Sequence, residues 1–357
     1  NQAQQNINES ISHTKTQLAG TVGVMVAAGA AIYNGPVKKA AEFQEQMSTV
    51  QAISGATGDD LKLLSEKAKE MGATTKFTAK EAGEAMEYMA MAGWKTGDML
   101  SGIEGIMNLA AASGEELAAV SDIVTDAMTA FGLAADGTTK VIGKDGLVKE
   151  VSNATHFADI LAQASSNANT NVGMMGETFK YVAPVAGALG YTAEDTAALI
   201  GLMANSGIKA SQAGTSLRKI FLGLQGGVEL TGDKLGKYHL EVENADGSMR
   251  KLEDVTGDLR KAFSQMTEAE KAANAEAIAG KTGMSGLLAI VNASEADYQK
   301  LTESIKGCDG AAKAMAETKL DNLNGQITLM QSAWDALQVE LGEMLLPVLT
   351  DLIKKAT

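Results

Sequence analysis

The feature that most narrows the fold is a stretch of chain that occurs twice. FTAKEAGEAMEYMAMAGWK, from Phe77, aligns without a gap with YTAEDTAALIGLMANSGIK, from Tyr191. Phe77 pairs with Tyr191, Thr78 with Thr192, Glu81 with Asp195, Met89 with Met203, Gly93 with Gly207 and Lys95 with Lys209. In each copy a threonine can accept the first free N–H groups of a helix, with an acid three residues on to complete a capping box. An apolar-faced run follows, and a glycine supplies the left-handed residue that closes a helix. Thr78, Gly93, Thr192 and Gly207 are therefore the expected caps of two equivalent units. Such units bury their apolar faces by stacking, so the pattern predicts duplicated helical hairpins packed side by side. Ser113 with Glu116, running to Gly132, reads as a weaker third unit, because Met128 precedes Gly132 as Met89 precedes Gly93. Two unrelated capped, Ala-rich helices would share part of this likeness.

The rest of the chain agrees with a helical reading. Hydrophobic residues make up 45% of the 357 positions but aromatics only 4%, so Ala, Leu, Ile, Val and 18 Met carry the apolar content. Ala, Leu and Met favour helices, and only 3 prolines interrupt them. The expected fold is mainly α: an array of short capped helices with internal duplication, two small β-hairpin excursions and a long heptad-patterned C-terminal helix. Helices are expected from Val37 to about Ile53, from about Asp59 to Glu70 with an end at Gly72, and from Val172 to Gly190 with a kink or division at Pro184. β-Branched runs flank Asp145-Gly146, a hairpin signal. YHLEVENADGSMRKL is the second hairpin candidate, turning at Asp246-Gly247. This divides the chain into an N-terminal segment (1–36), a core of repeated hairpins (37–230), a helical region with a hairpin (231–310) and a long helix (311–357).

The two ends carry distinct patterns. Leu18 to Tyr33, LAGTVGVMVAAGAAIY, contains no charge. As a helix it would span ~24 Å, short of the ~30 Å core of a bilayer. Gly23, Ala27 and Ala31 form a small-residue stripe that permits close helix contact. A buried or self-associating helix is expected there, with a membrane-inserting segment as the alternative. At the other end Leu320, Leu323, Ile327, Met330, Trp334, Leu337 and Leu341, then Met344 and Val348, fall at alternating steps of three and four. That is the seam of a left-handed coiled coil. It predicts a helix that pairs with copies of itself or another partner, or one that lies on its own domain. Pro347 is expected to interrupt it. The chain starts at Asn1 and stops after a helical run, and it reads as a segment of a longer polypeptide.

The chemistry-bearing residues are sparse. A formal net charge of −14 argues against specific nucleic-acid binding through phosphates. The single cysteine, Cys308, excludes a disulfide framework and fits a chain made in a reducing cytoplasm. His13, His156 and His239 are far apart, and neither HExxH nor CxxC occurs, so no metal site is expected. There is no GxxxxGK[ST] loop and no GxSxG elbow. Glu81, Glu84 and Glu87 share one helix face, as a pair of glycosidase carboxylates might be imagined to, but acids on a solvent face are usually only solvated. ENADGS around Asp246 lacks the downstream bidentate Glu of a calcium loop. The expectation is a chain without catalytic residues or cofactor.

Several runs are similar to one known family. FQEQMSTVQAISGATGDDLKLLSEKAKEMGATTKFTAKEAGEAMEYMAMAGW resembles the core of the TP901-type phage tail tape-measure family. So do NLAAASGEEL from Asn108 with the run that follows it to FGL, and YVAPVAGALGYTAEDTAALIGLMANSGIKASQAGTSLRKIFLGL. The AGTSLR box (Ala213, Gly214, Thr215, Ser216, Leu217, Arg218) is its most specific piece, and MAETKLDNLNGQITLMQSAWDALQVELGEMLLPVL resembles the usual continuation. The likeness runs from about Phe43 to Leu349, and the hairpin from Asp136 to Asn153 looks like a surface insertion in it. The resemblance implies a virion protein made in the bacterial cytoplasm and housed in the tail-tube lumen. Its stretched length sets tail length, and it leaves ahead of the DNA on infection. Implied partners are further copies of itself, possibly three, the tail tube protein, baseplate or tail-tip hub proteins, tail assembly chaperones and, on ejection, the host membrane. This stretch reads as a folded module rather than the ruler itself. The rival reading, a membrane-active pore-forming effector, rests on Leu18 to Tyr33.

Overall fold

The computed structural model describes residues 33–142 and 147–356. A π-helical turn, Tyr33–Val37, leads into α1 (Lys38–Ser54), α2 (Asp59–Thr74), α3 (Ala79–Met91), α4 (Thr96–Ser113) and α5 (Leu117–Ala130). A hairpin of β1 (Thr138–Ile142) and β2 (Val148–Ser152) precedes α6 (Asn153–Asn167), α7 (Val172–Ala188), α8 (Ala193–Asn205) and α9 (Ala210–Leu224). A second hairpin, β3 (Val228–Gly232) and β4 (Gly236–Leu240), precedes α10 (Leu252–Phe263), α11 (Glu268–Asn292), α12 (Glu295–Lys306), α13 (Ala311–Leu320) and α14 (Leu323–Ala356). The expected mainly α fold with two small hairpins and a long last helix is what the chain adopts.

The helices form layers by a simple rule: each packs against its second neighbour in sequence. α1, α3, α5, α7, α9 and α11 stack as one layer, and α2, α4, α6, α8 and α10 as the next. The chain then turns back. α12 lies on α8 and α6, α13 on α6 and α4, and α14 on α2 and α1. This return limb covers the second layer, which becomes the middle of the molecule. Its helices are enclosed on both sides. Every residue from Thr196 to Ala204 in α8 is buried. So are Met99, Ile103, Ile106, Met107 and Leu109 to Ala112 in α4. An enclosed helix loses its one-sided stripe. That is why α4, apolar nearly all round, has no counterpart among the helices expected from periodicity.

Several boundaries differ from expectation, each for a packing reason. α2 does not stop at Gly72 but runs to Thr74. A Cβ on Gly72 would sit 2.5 Å from the Ala79 backbone nitrogen, so that glycine allows α2 and α3 to approach rather than ending a helix. Ser113 does not start α5. It closes α4, where its hydroxyl accepts the Glu115 N–H at 3.2 Å, and Glu116 precedes α5 without a side-chain cap. Pro184 and Pro347 divide nothing: α7 and α14 continue through them. At Pro184 buried Val182, Ala183 and Ala186 hold both arms in place against the lost hydrogen bond.

The first hairpin forms as expected, from Thr138 opposite Ser152 to Ile142 opposite Val148. The second pairs differently. β4 bonds upstream to β3, with Val228 opposite Leu240 and Gly232 opposite Gly236. The Asp246-Gly247 turn exists but closes only one isolated bridge, Glu243 to Met249. Leu230 and Leu240 are both fully buried, against α11 and α10, a partnership the polar GSMRK run cannot offer.

Candidate functional surface

The repeated motif folds alike in both copies. The Thr78 hydroxyl accepts the Glu81 N–H at 3.2 Å, and Glu81 accepts the Thr78 N–H at 2.7 Å, a complete capping box. The Thr192 hydroxyl accepts the Asp195 N–H at 3.1 Å. Gly93 and Gly207 take φ of 86° and 85°. Beyond them Trp94 N–H donates to Met89 O and Ile208 N–H to Met203 O, both at 3.0 Å, the hydrogen bond that defines a Schellman ending. The third unit shares only this ending, where Leu133 N–H donates to Met128 O at 2.9 Å. The three glutamates on α3 have structural partners. Glu81 is in the capping box, Glu84 pairs with Lys80 at 3.3 Å, and Glu87 accepts from Gln46 at 2.7 Å.

The AGTSLR box is a packing device. Ala213, Gly214, Ser216 and Leu217 are buried on α9, while Thr215 and Arg218 face solvent. A Cβ on Gly214 would lie 2.7 Å from both the Thr178 carbonyl oxygen and the Tyr181 Cβ, so α9 presses its backbone onto α7. On the other side Ser216 donates to the Thr282 carbonyl at 3.3 Å, and its Cβ stands 2.8 Å from where a Cβ on Gly286 would be. The box joins three consecutive members of the first layer.

Sequence reasoning missed Asp159. It lies on α6, only 2% exposed, and its two oxygens accept the Gly310 and Ala312 N–H groups at 2.9 and 2.8 Å. It thereby caps the start of α13 from a remote part of the chain. Burial pushes its carboxyl above the ordinary range, against the pull of those two N–H groups. No local pattern announces such a partner.

α14 presents two unlike faces. Its inner face is small: Ser332, Ala336 and Val339 are buried, and a Cβ on Gly342 would press into the Pro36 carbonyl and lie 2.6 Å from the Ala40 Cβ. Ser332 donates to the Lys76 carbonyl at 2.7 Å, and Lys39–Asp335 (2.8 Å) and Lys69–Glu343 (2.9 Å) pin its edges. The heptad residues point the other way. Leu323, Ile327, Met330, Trp334, Leu337, Leu341 and Met344 are between 39% and 76% exposed. Leu320 is not on this stripe. The helix breaks at Asp321 and Asn322, and Leu320 ends α13 half-buried. So the long helix does lie on its own domain, but by its small residues, and it turns a row of large apolar side chains outward. A stripe of this kind marks an interaction surface.

Leu18, Gly23, Ala27 and Ala31, the possible membrane segment, lie outside the described residues. Among the described residues no helix is long and apolar enough to cross a membrane.

A family model described as phage-related minor tail protein matches residues 65–280, more than half of the chain. The chain belongs to that family. The match runs from within α2 to Gly280, where α11 breaks, so in this minor tail protein it coincides with the two-layer array and leaves out the return limb. The chain is also 35% identical over 321 residues to the tape measure protein of Pneumococcus phage Dp-1, covering 90% of this chain and 26% of that protein. It is 24% identical over 321 residues to the probable tape measure protein of Escherichia phage P2, covering 88% of this chain and 37% of that one. The tape-measure resemblance is borne out at the level of the family, and the chain spans about a quarter to a third of the length of these relatives. No solved structure matches it.

Proposed function

We propose that this chain is a folded module of a tail tape measure protein, carried in the lumen of the tail tube with further copies of itself. Around it the tube protein polymerises with the help of assembly chaperones, and at one end it meets the baseplate or tail-tip hub. On infection it leaves ahead of the DNA and meets the host envelope.

The observation that carries this reading is the family match across the array, together with the two phage relatives that align over most of the chain. The fold adds a restriction. A ruler must convert residues into length, at ~1.5 Å per residue in a helix. Here α14 comes back to α1, with Gly342 against Pro36. Chain folded this way contributes bulk and little length, which supports an end module rather than the measuring rod.

Protease protection in intact particles tests the location. Peptides from this chain survive until the tails are opened. Their immediate digestion, or their absence from particles, overturns the proposal. Electron microscopy of particles lacking residues Phe77 to Leu224 tests the role: loss of tail assembly or of ejection is expected, whereas normal tails shortened in proportion would make the segment ruler after all.

A further inference from the structure

The outward stripe of α14 is too apolar to stand in water without a covering partner, and the same chain holds a second stretch with that need. Leu18–Ile32 has no charge. We propose that Leu18–Ile32 packs along the stripe from Leu323 to Leu337 of its own chain.

Attachment is the first argument. The described residues begin in a turn seated on α14, with a Cβ on Gly35 reaching to 3.9 Å from the Gln338 Oε1 and the Pro36 carbonyl pressed on Gly342. At about 100° per residue, Gln338 projects within about 40° of Trp334 and about 20° of Ile327. The segment therefore joins the body at the flank of the stripe. Length is the second. As a helix Leu18–Ile32 is ~22 Å long, and Leu323 to Leu337 spans ~21 Å. Complementarity is the third. The stripe is bulky at Trp334, the segment is small along Gly23 and Ala27, and the positions flanking the stripe, Asn324, Gln331 and Gln338, are uncharged amides. Small against large lets two helices approach closely. A tether also gives the segment an effective concentration of order millimolar, which a second copy in dilute solution does not have. The inference stands apart from the tail assignment and can fail without it.

Trp94 and Trp334 are the two tryptophans, and Trp94 is buried. In Trp94→Phe full chain, Trp334 emission is expected to be blue-shifted, shielded from iodide and unchanged on dilution. Adding Val24→Asp with Ala27→Asp shifts it to the red and opens it to quenching, with the far-UV circular dichroism unchanged. Red, quenchable emission without the two charges overturns the proposal. So does a blue shift lost on dilution, which makes a second copy the occupant. If Trp94→Phe does not fold, Ala27→Cys with Met330→Cys serves instead, because the native Cys308 is buried and its thiol is pushed well up by that burial. A disulfide at monomer mass supports the inference, and one at dimer mass, or none, defeats it.

Discussion

α4 and α14 are both long and apolar, yet they sit in opposite situations. α4 is enclosed between its own layer and α13, and glycines let neighbours close on it: a Cβ on Gly105 would lie 2.6 Å from the Thr155 Cα. α14 touches the body through Ser332, Ala336, Val339 and Gly342 and offers its large residues outward. Apolar content alone does not say what a helix is for. What separates a core helix from an interaction helix here is the size of the residues on the face that docks.

The contrast is sharpest in side-chain truncation. Ile103→Ala, at a fully buried position of α4, is expected to cost about 2–5 kcal/mol. Met344→Ala, 73% exposed on α14, should stay within about 0.5 kcal/mol. Denaturant melts of the two variants read the difference, and equal losses would erase the distinction. Gly342→Leu attacks the docking face instead. Overpacking against Pro36 and Ala40 is expected to cost about 1–3 kcal/mol. It should appear as faster amide exchange in α14 with protection in α4 retained, and uniform loosening would mean that α14 does not dock separately.

The Asp159 cap gives a smaller effect with a pH signature. Asp159→Ala should cost about 1 kcal/mol, and Asp159→Asn, which keeps an acceptor, less. Burial is the main influence on Asp159 and raises its folded-state pKa. A raised carboxyl contributes stability that is complete below its unfolded value of about 3.9 and is lost as pH rises through the folded value. The native protein should therefore gain on Asp159→Asn as pH falls from about 7 toward about 4. Thermal melts that hold a constant gap across that range would remove the buried carboxylate from the account. Smallest is the edge pinning. Lys39 and Asp335 are 40% and 25% exposed, so Lys39→Met is expected to cost at most about 1 kcal/mol, screened further by salt. A larger loss would mean that the ion pairs, and not the small inner face, hold α14.

Local chemistry was legible in the sequence and remote chemistry was not. Thr78, Gly93, Thr192 and Gly207 act within a few residues of themselves, so their roles follow from spacing. The AGTSLR box was visible as a motif, but its work of bringing α7, α9 and α11 together depends on Thr178 and Gly286, which sequence alone does not place beside it. Gly72 and Gly342 read as weak points for a helix and prove to be points of close approach, because the neighbour that needs the room comes from another element. The heptad spacing runs unbroken across Asp321 and Asn322, so periodicity could not show that Leu320 belongs to a different helix. Asp159 meets α13 half a chain away and leaves no local trace.

The turned-back limb also sets an order of events in synthesis. α4 is complete at Ser113, but α13, which covers it, begins at Ala311. That is roughly 200 residues later, or ~10–40 s of translation at ~5–20 residues per second. For that interval the middle of the future molecule is its surface, and contacts of such long sequence separation form slowly even once the chain is complete. A nascent chain in this state is most exposed to aggregation before its last helices emerge, so shielding matters during elongation rather than after release.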